Sequence, residues 1–165
     1  VIHCSNISEL IALTEQWKTA GYKIVFTNGV FDILHVGHVN YLQQAKELGD
    51  KLVVAINDDA SVKKLNKGPE RPINPEGARA AVIQALRSVD ATIIFSEETP
   101  LTLIQTILPD ILVKGGDYNP NETDAHSKTY IVGSKEVVEY GGDVIAIPLV
   151  AGFSSTNIIG KIKAK

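Results

Sequence analysis

Thr27-Asn-Gly-Val-Phe-Asp-Ile-Leu-His-Val-Gly-His38 is the stretch on which the fold of this chain turns. It follows Lys23-Ile-Val-Phe26, a short apolar run that reads as a buried strand. It leads into Val39-Asn-Tyr-Leu-Gln-Gln-Ala-Lys-Glu-Leu48, whose apolar residues recur at the spacing of an amphipathic helix. His35 and His38 therefore stand where a loop becomes a helix. Unpaired backbone N–H groups and the positive end of the helix dipole favour an anion there. Gly37 leaves no side chain between the backbone and that anion. The local chemistry is that of phosphate. Half of a zinc site is the competing reading, but zinc needs roughly three or four ligands. The other candidates, His3, Cys4 and His126, are scattered.

Outward from this stretch, strands and helices alternate. Ser8 to Thr19 reads as a helix with Leu10, Ile11, Leu13 and Trp17 on one side and Gly21 as its stop. After the Gly49-Asp50 turn, Leu52 to Ile56 is a second buried strand, and Asn57-Asp58-Asp59 ends it and caps a short helix through Leu65. Asn66 to Pro75 is a loop, Glu76 to Ser88 a helix, and Ala91 to Phe95 the third strand. Pro100 opens a helix over Leu101 to Leu108, closed by Pro109. Ile111 to Lys114 is the fourth strand, and Gly115-Gly116 begins a long polar loop. Glu136 to Tyr140 is helical, Asp143 to Ile147 is the fifth strand, and Thr156 to Lys163 is the last helix. Strands that are near-continuous apolar runs between helices form a parallel sheet covered on both faces. The expected fold is a Rossmann-like, doubly wound α/β domain with a five-stranded parallel sheet. It spans 1–165, with 1–21 as an N-terminal helical segment and 22–165 as the catalytic core. In such sheets ligands bind beyond the carboxyl ends of the strands, at the switch point. Thr27–His38, Asn57–Asp59, Lys114–Asp117 and Gly152–Thr156 all sit at those ends.

The bulk numbers suit one soluble domain. There are 165 residues, 44% of them apolar and 21% charged, enough to bury a core. No apolar run approaches the roughly 18 residues of a membrane span, so no membrane partner is expected. No signal peptide is visible, and the natural N-terminus need not be Val1. The single cysteine excludes an internal disulfide and suits a reducing cytoplasm. A net charge of −3 argues against nucleic acid as a partner.

These residues resemble the nucleotidyltransferase superfamily marked by a His-x-Gly-His signature, here His35-Val-Gly-His38. They are most similar to the sugar-phosphate adenylyltransferases that make ADP-heptose. The segments that carry the likeness are Thr27–His38, Gly49–Asn57, Arg71-Pro-Ile-Asn-Pro75, Leu108–Asp117 and Ser154–Ile159, within Lys23 to Lys163. The resemblance implies transfer of AMP from ATP to D-glycero-β-D-manno-heptose 1-phosphate by in-line attack on the α-phosphorus, releasing pyrophosphate. Such a transfer depends on positioning and charge stabilisation.

It also implies the roles of the residues. His35 and His38 would donate to the triphosphate, and Lys67 and Arg79 would complete the catalytic set. Thr27, Asn28, Gly29 and Phe31 would cradle phosphates, with Gly37 beneath them. Lys114, Gly116 and Asp117 would meet adenine or ribose, and Gly152, Ser154, Ser155 and Thr156 the ATP phosphates. Asp32 and Asp59 would lie near the acceptor, Asp32 holding the loop or a histidine in place. Lys63 and Lys67 belong to the basic cluster facing the sugar phosphate, beside Lys64. Phe31 has core packing as its rival role, and Asp59, Ser155 and Thr156 have helix capping. Mg2+ is expected with ATP, held by phosphate and water, and no protein ligand is named for it. A homo-oligomer, dimer or higher, follows from the same likeness, with Tyr41 and the first helix as candidate interface elements. Relatives occur both fused to a sugar kinase and alone, and a helix before the first strand fits either.

The chain departs from the pattern in two places. Val30 stands where relatives commonly carry cysteine, a packing change. The loop from Asn119 to Gly133 is longer than in close relatives and brings Asp124, His126, Ser127, Lys128 and Tyr130. It is a substrate lid, an oligomer contact or an idle insertion. Two alternatives stand beside the main reading. One is a cytidylyltransferase for a small alcohol phosphate such as glycerol 3-phosphate, weakened because Pro148-Leu-Val-Ala-Gly152 has no arginine. The other is a catalytically silent nucleotide-binding module.

Overall fold

The computed structural model describes residues 1–65, 68–116 and 118–164. Its elements in chain order are β1 (Ile2–Cys4), α1 (Ile7–Thr19), β2 (Ile24–Gly29), α2 (Val36–Glu47), β3 (Lys51–Asn57) and α3 (Asp59–Lys64). They continue with α4 (Glu76–Gln84), β4 (Ala91–Phe95), α5 (Leu101–Ile107), β5 (Ile111–Gly115), α6 (Ser134–Glu139), β6 (Asp143–Ile147) and α7 (Ser155–Lys163). All the strand pairs are parallel, in the order β1-β4-β3-β2-β5-β6.

The sheet therefore has six strands where the apolar pattern predicts five. The extra one is β1, which pairs Ile2 with Ala91 and Cys4 with Ile93 at the β4 edge. Three residues, of which only Cys4 is buried, are too few to show a period. The N-terminal segment is thus part of the sheet as well as a helix.

Strict alternation along the strands divides the interior into two cores. Ile24, Phe26, Val53, Ala55 and Leu112 point to one face, where Leu10 and Trp17 of α1, Leu103, Ile104 and Ile107 of α5 and Val137 of α6 cover them. Val25, Leu52, Val54, Ile56, Ile111 and Val113 point to the other, under Leu42 and Ala45 of α2 and Ala80 and Ile83 of α4. Each face buries its own aliphatic layer, worth about 1.5–3 kcal/mol per fully buried side chain. The sheet is held from both sides.

From β2 the chain winds outward one way through β3 and β4, then returns to lay β5 on the opposite side of β2. The switch point therefore lies between β2 and β5. There the Lys114 ammonium donates to the Asn28 side-chain oxygen at 2.5 Å across the two strand ends. Below it, the Tyr41 and Thr27 hydroxyls lie 2.6 Å apart, and Tyr41 donates to the Val113 carbonyl at 3.2 Å. This buried pin ties α2, β2 and β5 together under the site.

Candidate active site

A cleft of about 860 Å³ opens over the carboxyl ends of the strands. Asn28, Gly29 and Phe31 after β2, His35, Gly37 and His38 at the start of α2, Lys114 after β5, and Ser154, Ser155 and Thr156 at the start of α7 all border it. The start of α2 is Val36, so His38 lies in its first turn and His35 is its N-cap. The His35 side chain makes no capping bond, which leaves it to the cleft. Ser154 caps α7 by accepting from the Asn157 N–H at 3.0 Å, and the Ser155 hydroxyl donates to the Ile33 carbonyl at 3.2 Å. That bond draws the two helix starts toward one cleft. Two positive dipole ends with free N–H groups then face the same space.

The histidine rings stack with centroids 3.8 Å apart and planes 20° from parallel. The Phe31 ring meets His38 edge-on at 5.3 Å. Phe31 takes a left-handed φ of 51°, and this sets its ring beneath Gly29, where an added Cβ would be 3.0 Å from it. An added Cβ on Gly37 would likewise come within 3.0 Å of the His35 ring. Among the described residues neither His35 Nδ1 nor His38 Nδ1, both buried, has a hydrogen-bond partner. Burial lowers the His35 pKa. Burial, reinforced by the charge of His35 and partly opposed by the Ile33 backbone, lowers that of His38 to about 4. Both shifts favour the neutral ring.

Asp32 borders the cleft but is committed to the protein. It accepts from the N–H groups of Ile73 at 2.8 Å and Asn74 at 2.9 Å and forms an ion pair with Arg71 Nε. Burial alone would raise its pKa, but the Asn74 and Ile73 N–H groups and the Arg71 guanidinium together hold it below the usual carboxylate range. Asp32 thus clamps loop 68–75 against the loop between β2 and α2. Its acceptor-binding role gives way to the positioning role.

Several expected side chains lie elsewhere than at the cleft. Arg79 is 1% exposed and does not border it. Its guanidinium donates to the carbonyls of Asn74 at 3.0 Å, Val30 at 2.6 Å and Asn57 at 2.7 Å, and to Asp59 at 2.9 Å. It joins the ends of β2 and β3 from below, and Asp59 is its partner. The Thr27 hydroxyl is buried on Tyr41 and does not border the cleft. Tyr41 is itself in the core, which removes it from any subunit interface. Lys63 is exposed away from the cleft, and Gly116 and Gly152 take left-handed turns beside it. Lys67 and Asp117 lie outside the described residues. The sequence reading gave no role to Arg71, Tyr118, Glu98, Thr99, Leu149 and Phe153, all of which border the cleft.

Residues 26–161 match the cytidylyltransferase-like family. The chain belongs to the cytidylyltransferase-like family. Among curated members, the bifunctional protein HldE of Halorhodospira halophila is 51% identical over 156 residues, 94% of this chain and 31% of that protein. The bifunctional protein HldE of Histophilus somni is 54% identical over the same share of each. The chain spans about a third of the length of these relatives. The crystal structure of a lipopolysaccharide core biosynthesis protein from Thermoplasma volcanium matches 79% of this chain and 98% of its own, at 32% identity and a TM-score of 0.59. A pantoate-β-alanine ligase from Francisella tularensis, crystallised with an ATP analogue and β-alanine, superposes with a TM-score of 0.63 at 15% identity, a likeness of fold alone. The cytidylyltransferase-like match covers both helix starts and both histidines. No helix among the described residues is long and apolar enough to cross a membrane.

Proposed function

We propose that this chain transfers AMP from ATP to a sugar 1-phosphate, with D-glycero-β-D-manno-heptose 1-phosphate as the acceptor, and releases ADP-heptose and pyrophosphate. The observation that carries the reading is the meeting of two helix N-termini and two stacked histidines, whose Nδ1 atoms have no hydrogen-bond partner among the described residues, on one cleft at the sheet's switch point. A triphosphate fits that arrangement: a chain of anionic oxygens in front of fixed N–H donors. The choice of a heptose is supported by the motif likeness, the HldE relatives and the lipopolysaccharide core biosynthesis protein.

On this reading a phosphate oxygen of the acceptor attacks the α-phosphorus in line. The new P–O bond forms as the bond to the β-phosphate oxygen breaks, and pyrophosphate leaves. His35 and His38 donate ring N–H groups to the phosphoryl oxygens, where charge builds up. Ser155, Thr156 and the N–H groups of α7 hold the departing end. Lys114, fixed by Asn28, sits by the nucleoside. Mg2+ would come with ATP and neutralise phosphate charge. Phosphate oxygens and water would hold it. Cytoplasmic placement and assembly as a dimer or higher belong to the same proposal.

The test is pyrophosphate release with ATP or CTP against heptose 1-phosphate, glycerol 3-phosphate and choline phosphate, repeated with His38→Ala. Turnover with ATP and the heptose, reduced about 10²–10³-fold by the substitution, is the expected result. Turnover with CTP and an alcohol phosphate instead would replace this function with a cytidylyltransferase. ATP binding without release on any acceptor would mean a silent module.

A further inference from the structure

Loop 118–133 is a built structure, tied to itself and to the core. The Asn119 N–H donates to the Thr129 carbonyl at 2.9 Å, which closes the loop into a ring. Within it, the Glu122 carboxylate accepts from the N–H groups of Thr123 and Asp124 at 3.0 Å each and from the Thr129 hydroxyl at 3.3 Å. The Tyr130 N–H donates to the Ser127 carbonyl at 3.2 Å. The next residue, Ile131, is fully buried in the core under α5. At Gly133 an added Cβ would stand 2.5 Å from Ile104 Cδ1, so the backbone lies directly on α5. Because α5 starts just after Pro100, this anchorage brings Tyr130 onto the cleft that Glu98 and Thr99 also border.

The cleft has two unlike ends along the sheet, since Glu98 and Thr99 follow β4, two strands away from β2. The α2 and α7 end carries N–H groups and histidines and suits phosphates. The α5 end carries an aromatic ring, a hydroxyl and a carboxylate, with Glu98 only loosely paired to Lys64 at 3.9 Å. In-line transfer requires the incoming and departing oxygens on opposite sides of the phosphorus. With pyrophosphate leaving toward the helix starts, the acceptor occupies the α5 end. A carboxylate there repels a second phosphate but accepts hydrogen bonds from sugar hydroxyls. A tyrosine ring covers the C–H face of a pyranose while its own hydroxyl stays polar.

We propose that Tyr130, Glu98 and Thr99 form the subsite for the sugar ring of the acceptor, and that loop 118–133 selects a sugar phosphate over a smaller alcohol phosphate. The subsite rests on the nucleotidyltransferase reading above. The experiment is a steady-state measurement of kcat and of KM for ATP and for the sugar 1-phosphate in the wild type, Tyr130→Ala, Tyr130→Phe and Glu98→Gln. Tyr130→Ala should raise the sugar-phosphate KM roughly tenfold and leave the ATP KM within about twofold. Tyr130→Phe should restore most of the loss, and Glu98→Gln should raise the same KM by about three- to tenfold. Equal changes in both KM values, or no change in either, would overturn the subsite and leave the nucleotidyltransferase reading standing. A wild-type protein that releases no pyrophosphate with any sugar 1-phosphate would overturn both.

Discussion

Arg79→Met should unfold this protein far more readily while leaving the cleft's chemical groups in place. Methionine keeps the unbranched stem of arginine but is shorter and donates no hydrogen bond. The substitution strands the carbonyls of Asn74, Val30 and Asn57 and removes the charge beside Asp59. The Asn57 carbonyl, on a buried residue, bears the full desolvation cost. Those of Val30 and Asn74, on half-buried residues, bear part of theirs, and Asp59, one third exposed, recovers water. With about 1–3 kcal/mol for each stranded buried acceptor, the sum is about 3–5 kcal/mol. At a urea slope of about 2 kcal/mol per molar, the unfolding midpoint should fall by about 2 M. Trp17, the only tryptophan, lies in the α1 core and reports unfolding by fluorescence. A midpoint within about 0.3 M of wild type, with turnover abolished, would refute the reasoning. It would mean that Arg79 acts on substrate directly.

Two further outcomes follow from the histidine cluster at the start of α2. His38 has its pKa lowered from 6.5 to about 4 in the folded protein. As pH falls below 6.5 the unfolded chain takes up a proton that the folded ring refuses, so stability should decline from there to about 4 and level off below it. Urea midpoints from pH 8 to 4 should show this slope in the wild type, flattened in His38→Ala; equal slopes would rule out the histidine as its source. Gly37→Ala sets a methyl 3.0 Å from the His35 ring inside a helix that alanine favours. It should keep or raise the Tm while increasing the ATP KM by about five- to twentyfold, as thermal melts and initial rates would show.

Much of this was legible in the chain because parallel strands buried on both faces write themselves as apolar runs. β4 and β6 occupy the predicted residues, and the motif's histidines fall at a helix start. What escaped was whatever depends on direction or distance. The motif places Thr27 at a strand end, yet only the fold shows its hydroxyl turned to Tyr41. Arg79 has the right chemistry for phosphate, but its depth under the loops sends every observed bond to protein acceptors. Asp32 and Arg71 are 39 positions apart, and no local pattern pairs them. β1 is too short for periodicity to register. The loop after β5 was visible as long and polar, while its anchorage through Ile131 was not.

The sheet keeps its two aliphatic layers apart, and that separation has a consequence for how such a protein changes over time. The histidine helix α2 stands on one layer, and α5 and Ile131 stand on the other. Substitutions on opposite faces share few neighbours, so their energetic effects should combine additively. On the proposed reading, the acceptor subsite and the phosphate-facing histidines thus rest on independent foundations. If that reading holds, drift in the loop over α5 would alter the acceptor without disturbing the histidines across the sheet.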